Sequence, residues 1–187
     1  MAEADDLQHH DDLDIHLREV QQLLARHKLV EGLVHRQDMP KHDLVESLVH
    51  KQHVQELTHK LDSLHSADVA HILEALPLED RLFLWDLVKA ERDGEILLEV
   101  SDAVRESLIE SMDSDSLRAA AEQLDADELA DLAPDLPHEV MEAVYQGLAP
   151  EEREQLRAAM SYPEDSVGAL MDFEMVTVRE DVTLEVV

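Results

Sequence analysis

From residue 66 to residue 160 the sequence repeats one pattern: a short stretch with apolar residues at helical spacing, bounded by a proline or a helix-capping residue. Apolar side chains three and four positions apart share one face of a helix, so each stretch predicts an amphipathic helix. Two longer stretches of the same kind come first. The predicted helices span residues 13–30, 42–64, 67–76, 79–89, 95–100, 101–112, 115–124, 127–133, 138–148 and 151–160, with Ser66, Ser114 and Asp125 as N-caps. Short helices in such a row are typical of a stacked helical array.

The composition favours the same architecture. With one Trp, two Tyr and two Phe, the core has to consist of Leu, Val, Ile, Ala and Met, which suits packed helices better than a β-sandwich. An internal similarity supports stacking, since residues 60 positions apart match: Leu64, Ala70, Leu76-Pro77 and Glu79 correspond to Leu124, Ala130, Leu136-Pro137 and Glu139. We therefore expect an all-α fold, an α-solenoid-like superhelix in which each helix pair buries its apolar face on the next.

The chain of 187 residues carries a formal net charge of −30. This charge opposes nucleic-acid binding, which needs basic side chains to displace the counterions of the phosphates, and it opposes docking on anionic lipids. The compact chain repels itself, so cations should stabilise it; a halophile-like adaptive surface is the alternative. No cysteine is present, which excludes disulfides and thiolate metal sites. With no apolar run of bilayer length and no signal-peptide pattern, we expect a soluble chain.

The helix predicted at 127–133 carries the main candidate site. Asp127 and Asp131 are four residues apart, so both carboxylates leave the helix on one face, about one turn from each other. Like charges at this spacing repel unless a cation lies between them. Mg2+ or Ca2+ would fit, because both ions prefer carboxylate oxygens. A solvated acidic face is the alternative interpretation.

Histidine is concentrated in the first part of the chain, since every histidine except His138 lies between His9 and His71. His50 and His53 lie three apart on a predicted helix and could bind Zn2+. No HExxH motif or cysteine accompanies them, so solvated surface histidines are the preferred interpretation. The sequence also has no Gly-rich phosphate loop, nucleophile elbow or Cys/His pair. We predict that the chain is not an enzyme and that Phe83 and Trp85 belong to the core.

After residue 160 the chain changes character. Val176 and Val178 alternate with polar residues, which predicts a strand, and residues 183–187 resemble the beginning of a helix. We therefore divide the chain into a disordered acidic N-terminus (1–11), a helical superhelix domain (12–160) and a linker with the truncated start of a further domain (161–187). A chain that stops one turn into a new element is expected to be a fragment.

The last segment resembles the start of the first CBS domain in the MgtE family of magnesium transporters and channels. The residues that carry this resemblance are Tyr162, Glu164, Asp165, Ser166, Gly168, Leu170 and Met171, followed by Val176-Thr177-Val178-Arg179 and Thr183-Leu184. The preceding helices resemble the N-terminal domain of the same family, notably in Gly94-Glu95-Ile96-Leu97 and Asp127-Glu128-Leu129-Ala130-Asp131-Leu132. The resemblance covers about residues 60–187.

The resemblance implies a superhelical domain on the cytoplasmic face of the cell membrane. In that family it is followed by CBS domains, a connecting helix and a transmembrane pore, within a homodimeric full-length protein. Mg2+ would bind between the acidic faces of these parts and favour the closed pore, with Glu95, Asp127 and Asp131 as ligands and Glu128 adjacent to them. The alternative is a helical-repeat interaction scaffold, similar to flagellar motor-switch proteins, whose acidic face meets a basic protein. A response specific to Mg2+, beyond ionic screening, would distinguish the two.

Overall fold

The structure is a computed structural model, and it describes the backbone of residues 2–34, 42–162 and 166–170. Its helices are α1 (Ala2–Val34), α2 (His42–Asp62), α3 (Ser66–Glu74), α4 (Leu78–Trp85), α5 (Asp93–Glu99), α6 (Asp102–Ile109), α7 (Ser114–Ala121), α8 (Ala126–Leu132), α9 (His138–Gly147) and α10 (Pro150–Ala159). Short 3-10 turns lie at Ala90–Arg92 and Val167–Leu170. All ten predicted helices are present and the described residues contain no strand, so the predicted all-α fold is confirmed.

The largest difference in helix bounds is at α1. This helix begins at Ala2, inside the stretch predicted to be disordered, rather than at residue 13. The predicted strand around Val176 and most of the CBS-like motif lie outside the described residues. The three-part division of the chain therefore stays a prediction.

Two of the three predicted N-caps are wrong by one residue. Ser66 and Ser114 lie inside α3 and α7, and the N-caps are the residues before them. The Nδ1 of His65 accepts from the N–H of Ala67 at 3.4 Å, and Asp113 accepts from the N–H of Ser116 at 2.7 Å. A carboxylate is a stronger acceptor than a serine hydroxyl, which explains why Asp113 is preferred at α7. Asp125 is the N-cap of α8, as predicted.

Helices α3 to α10 stack in two layers. In one layer α3 contacts α5, α5 contacts α7 and α7 contacts α9; in the other, α4 contacts α6 and α8 contacts α10. Helices α4, α6, α8 and α10 begin at equal intervals, at Leu78, Asp102, Ala126 and Pro150, so the structural repeat is one helix pair. The predicted offset, which aligns Leu64 with Leu124, is wrong as a repeat. It matches α3 with α8 and α4 with α9, which belong to opposite layers. Capped starts occur in both layers, and this similarity produced the false register.

Two arginines, one repeat apart, join the helices of a pair in the same way. Arg81 on α4 donates to the carbonyls eight and five positions earlier, at the end of α3, at 2.9 and 3.1 Å. Arg105 on α6 donates to the carbonyls eight and five positions earlier, at the end of α5, at 2.7 and 3.3 Å. The last carbonyls of a helix lack the usual partner within it, so each guanidinium supplies donors to acceptors at the end of the preceding helix.

Helices α1 and α2 form an N-terminal hairpin, and α1 also contacts α3. One histidine of this hairpin departs from the prediction of solvated histidines, because His27 is only 4% exposed. Its ring stacks on Phe83 of α4 with centroids 4.9 Å apart, and its centroid lies 6.2 Å from that of His53. His27 follows Val20 and Leu24 at helical spacing, so its position on the buried stripe was readable from the sequence.

The core is mostly aliphatic, as the composition predicts. Trp85 is 5% exposed within it, and Phe83 packs against it from a partly buried position. Among the described helices, none combines the length and the apolar character that crossing a membrane requires.

Candidate functional site

Helix α8 presents the two aspartates singled out from the sequence. Leu129 and Leu132 are buried, at 1% and 0% exposure, and the helix packs against α10 and α5. With its apolar side fixed in this way, α8 leaves Asp131 exposed and Asp127 half-buried. Packing of the leucine stripe therefore decides which way the acidic pair faces.

Glu128 has a structural role at the start of α8. Its Oε2 accepts a hydrogen bond from the backbone N–H of Asp125 at 3.1 Å, which is the returning bond of a capping box. The bond satisfies one of the backbone donors that a helix N-terminus leaves open. One oxygen of Glu128 is thus already engaged in the fold, which distinguishes this residue from the two aspartates.

The Oδ1 atom of Asp127 is buried, and within the part of the chain that the structure describes it accepts no hydrogen bond. A buried acceptor without a donor costs free energy on the order of 1–3 kcal/mol. Asp131, one turn later, has no ion pair among the described residues. No basic side chain among the described residues therefore relieves the repulsion between the two carboxylates, and this donor set fits a hard divalent cation such as Mg2+.

Glu95 lies on α5, and a chain of hydrogen bonds orients it. The Oγ of Ser66 donates to Oε2 of Glu95 at 2.7 Å and accepts from Arg92 at 3.3 Å. Arg92 also donates to the carbonyls of Leu61 and Leu64, at 2.9 and 2.8 Å. These bonds join the end of α2 and the start of α3 to α5. They position Glu95 while its side chain stays exposed.

The first residues of α5 make a close contact. A Cβ at Gly94 would lie 2.7 Å from the carbonyl oxygen of Ala120 and 2.9 Å from Cδ2 of Leu124, so only glycine allows this approach. Asp93 beside it is 9% exposed. Burial raises the pKa of the Asp93 carboxyl to about 7, with a smaller contribution from Glu91. Glu95 therefore projects from a tightly packed segment.

The structure brings the predicted residues onto neighbouring helices without forming a closed metal site. Helix α5 contacts α8, so Glu95 and the pair Asp127 and Asp131 belong to adjacent elements. Among the described residues, however, no three His, Cys, Asp or Glu side chains converge on a point that could hold a metal ion. Mg2+ takes six oxygen ligands and keeps several waters. Water and ligands from outside the described residues would have to complete any ion site on this face.

Sequence reasoning missed three residues that shape this region. Ser66 was interpreted as a cap, and Arg92 and Asp93 were not singled out. Their partners lie up to 31 residues away in the sequence, as in the bond from Arg92 to Leu61, so no local pattern could have identified them. Of the two histidines considered for Zn2+, the His50 side chain lies outside the described side chains, and the ring of His53 lies 6.2 Å from that of His27.

Two layers of short stacked helices with acidic residues on α5 and α8 define a helical-repeat domain of the superhelical kind. Residues 64–165, more than half of the chain, match the family model described as the MgtE intracellular N domain, and the chain belongs to that family. The match begins at residue 64, so α1 and α2 lie before it. The family match favours a regulatory domain of a magnesium transporter over an interaction scaffold of the flagellar motor-switch kind.

A solved structure has the same fold: the cytosolic domain of the Mg2+ channel MgtE, crystallised in complex with ATP. The two chains are 22% identical with a TM-score of 0.51, and the match covers 66% of this chain and 51% of the other. At this identity the likeness concerns the fold. Because the match covers 51% of the other chain, this chain spans about half the length of the MgtE cytosolic domain. No curated protein matches the chain.

Proposed function

We propose that this chain is a Mg2+-sensing regulatory domain of a magnesium transporter or channel, located on the cytoplasmic face of the cell membrane. Its family and the fold it shares with the cytosolic domain of a Mg2+ channel support this function. The proposed Mg2+ contacts are Glu95, Asp127 and Asp131, with Glu128 as an auxiliary contact through its second oxygen. We assign no catalytic step to the chain.

The observation that carries the proposal is the buried Oδ1 of Asp127, which accepts no hydrogen bond from any described residue. Burial of such an atom costs free energy unless a donor or a cation outside the described residues meets it. Asp131 adds a second carboxylate one turn away, and neither has a basic partner in the described part of the chain. A face with this arrangement is more stable when a cation is near it.

The negative charge of the chain would make the position of this domain depend on Mg2+. At a net charge of −30, this domain repels any other acidic domain brought against the face formed by α5 and α8. A bound Mg2+ would supply positive charge that carboxylates from two such domains can share. Because the described residues provide an incomplete ligand set, the face is expected to favour the ion only when a second acidic surface meets it. The ion would then bind more tightly when the two acidic surfaces meet than when they are apart. This difference in binding free energy couples the ion to the arrangement of the domains, as a sensor requires.

The partners in this proposal are the CBS domains and the pore of a full-length homodimeric transporter. Residues 12–160 would form the sensing unit, residues 1–11 an N-terminal extension, and residues 161–187 the linker and the start of the first CBS domain. The ordered network from Arg92 through Ser66 to Glu95 supports a fixed sensing face rather than a mobile one. The domain is expected to move as a unit when the ion leaves.

The test is a titration of the isotope-labelled chain by NMR, in which Na+ is replaced by Mg2+ at constant ionic strength. We expect saturable shifts of the backbone amides of α8 and of the start of α5. The double substitution Asp127→Asn/Asp131→Asn should abolish them. A matched control, Asp102→Asn/Glu106→Gln, removes the same charge from another pair of acidic residues four apart, on α6, and should leave the α8 shifts unchanged.

Thermal unfolding of the same variants gives a second readout. A ligand that binds the folded state raises Tm, so Mg2+ should raise Tm above the value in Na+ at equal ionic strength. The α8 double variant should lose this difference and the α6 control should keep it. Shifts of equal size at every acidic helix, or equal effects of the two cations, would mean ionic screening and would contradict the proposal.

A further inference from the structure

A second acidic surface lies away from the α8 pair, in a groove of about 860 Å³ between α6, α7 and the segment after α8. We call it the α6 groove. Above a closed floor of Ile109, Leu117 and Leu136, at most 7% exposed, the groove has apolar surface at Met112, which is half-buried, and at the exposed residues Ala103, Pro134 and Pro137. One wall is the exposed side of α6, which carries Asp102, Glu106 and Glu110. The groove thus combines an apolar floor with a wall of one charge.

The three wall carboxylates follow each other at intervals of four residues, so they form a ladder along one face of α6 about 12 Å long. None of them has an ion pair among the described residues. Like charges at this spacing destabilise a helix, and Glu110, at the C-terminal cap of α6, also faces the negative end of the helix dipole. Asp102 lies in the first turn of α6, where a carboxylate is favourable to the helix dipole, but Glu106 and Glu110 have no such stabilising role in this fold.

Arg105, the arginine of α6, does not neutralise the ladder, because its guanidinium bonds to other groups. Arg105 donates to carbonyls at the end of α5 and pairs with Asp135 at 2.8 Å, with its side chain 13% exposed. Asp135 also lines the groove, so it is the wall carboxylate with a basic partner in the described chain. The ladder is left without one.

We propose that the α6 groove is the docking surface for a basic amphipathic helix of a partner protein. Lysines or arginines four residues apart on that helix would match the spacing of Asp102, Glu106 and Glu110. Its apolar face would cover the apolar surface at Met112, Pro134 and Pro137. A bare cation would leave the apolar lining at Met112, Pro134 and Pro137 in water, whereas an amphipathic helix would contact both the acidic wall and this lining. This surface is independent of the proposed Mg2+ contacts, since none of them lines it.

The test measures binding of a dye-labelled synthetic peptide of about 15 residues, made of Leu and Lys with the lysines four apart on one helical face. Its control is a peptide of the same composition in an order that destroys the amphipathic pattern. Both peptides are attracted by the net charge of the chain, so only their difference is informative. At physiological ionic strength we expect the amphipathic peptide to bind at least about tenfold more tightly, as measured by fluorescence anisotropy.

Two variants and a charge-matched control locate the site. Glu106→Gln/Glu110→Gln should weaken binding of the amphipathic peptide about tenfold. The charge-matched control Glu151→Gln/Glu154→Gln, at exposed positions of α10 outside the groove, should change it less than about twofold. Ala103→Trp, at an exposed position of the groove wall, should also weaken binding by filling the groove without any change in charge.

Thermal unfolding separates lost binding from lost folding. Because Glu106→Gln/Glu110→Gln removes like-charge repulsion, its Tm should equal or exceed that of the wild type. Equal affinity for the two peptides, equal weakening by both double substitutions, or full binding by Ala103→Trp would each overturn the proposal. The first two outcomes would assign the binding to general attraction by an acidic surface.

Discussion

Gly94 provides the sharpest test of how α5 is positioned. In Gly94→Ala the added Cβ would lie 2.7 Å from the carbonyl oxygen of Ala120 and 2.9 Å from Cδ2 of Leu124. The Leu124 side chain can rotate, but the Ala120 carbonyl belongs to the backbone and moves only with its helix. Such overpacking costs about 1–3 kcal/mol, and alanine in a helix recovers about 0.5–1 kcal/mol relative to glycine. We expect a net loss of about 1–2 kcal/mol in the free energy of unfolding.

Gly147 offers a matched control within the same chain. The nearest atom to a Cβ at this position is Oε1 of Glu122, at 3.7 Å, which is an ordinary van der Waals contact. Gly147→Ala should therefore keep or increase stability, by up to about 1 kcal/mol. Urea unfolding followed by circular dichroism measures both variants. A difference of about 2 kcal/mol between them corresponds to roughly 4–8 °C in Tm for a chain of this size.

Comparing Gly94→Ala with Gly147→Ala tests whether α5 approaches the Ala120 carbonyl as closely as described. Equal stability would mean that α5 does not approach the Ala120 carbonyl closely, and the reasoning about Gly94 would be wrong. If Gly94→Ala is destabilised as expected, the same variant should also alter the surroundings of Glu95, the next residue. Shifts of the amides of α5 in the NMR spectrum would report this change.

Two further predictions concern groups buried near the same helix. Burial raises the pKa of Asp93 from 3.8 to about 7, so the folded chain retains a proton there that the unfolded chain releases, and stability should fall as pH rises from about 4 through 7. In metal-free buffer at pH 8, Asp93→Asn should therefore be more stable than the wild type, by at most about 4 kcal/mol, and thermal melts across this pH range measure the difference. Arg105→Met should lower the free energy of unfolding by about 1–3 kcal/mol, because it leaves carbonyls at the end of α5 and Asp135 unpaired; urea unfolding measures this loss.

Each of these has its own control. For Asp93, the stability difference between variant and wild type should disappear near pH 4, and a difference that does not change with pH would contradict the assignment of the titrating group. For Arg105, the control is Arg118→Met, which removes an exposed arginine 3.5 Å from Glu122. Exposed pairs of this kind contribute about 0–1 kcal/mol, so an equal loss in both variants would contradict the role given to Arg105.

The helices were predictable because their signals are local. Apolar spacing, prolines and capping residues lie within the segment that they specify, and the ten helices follow from them. Asp127 and Asp131 were predictable as a pair for the same reason, since their separation within one helix sets their spacing. The N-caps of α3 and α7 were harder, because each start has two adjacent polar residues that could cap the helix.

The register of the repeat was not predictable from single matches. The offset that aligns Leu64 with Leu124 matched helices of opposite layers, whereas the true repeat is the shorter, constant interval between the starts of α4, α6, α8 and α10. Identities at capped starts occur in both layers, so they do not distinguish one layer from the other. Only the contacts between helices, α3 with α5 and α4 with α6, do so.

The sequence by itself determined the all-α architecture, the acidic character and the pairing of Asp127 with Asp131, because each depends on composition or on spacing within one helix. The tertiary structure decided the state of two carboxylates: Glu95 is held in the network with Ser66 and Arg92, and Asp127 has a buried Oδ1 that accepts no hydrogen bond within the described residues. Those differences arise from burial and from hydrogen bonds between distant segments. They exist only once the helices have stacked, because stacking removes water and brings the partners within reach.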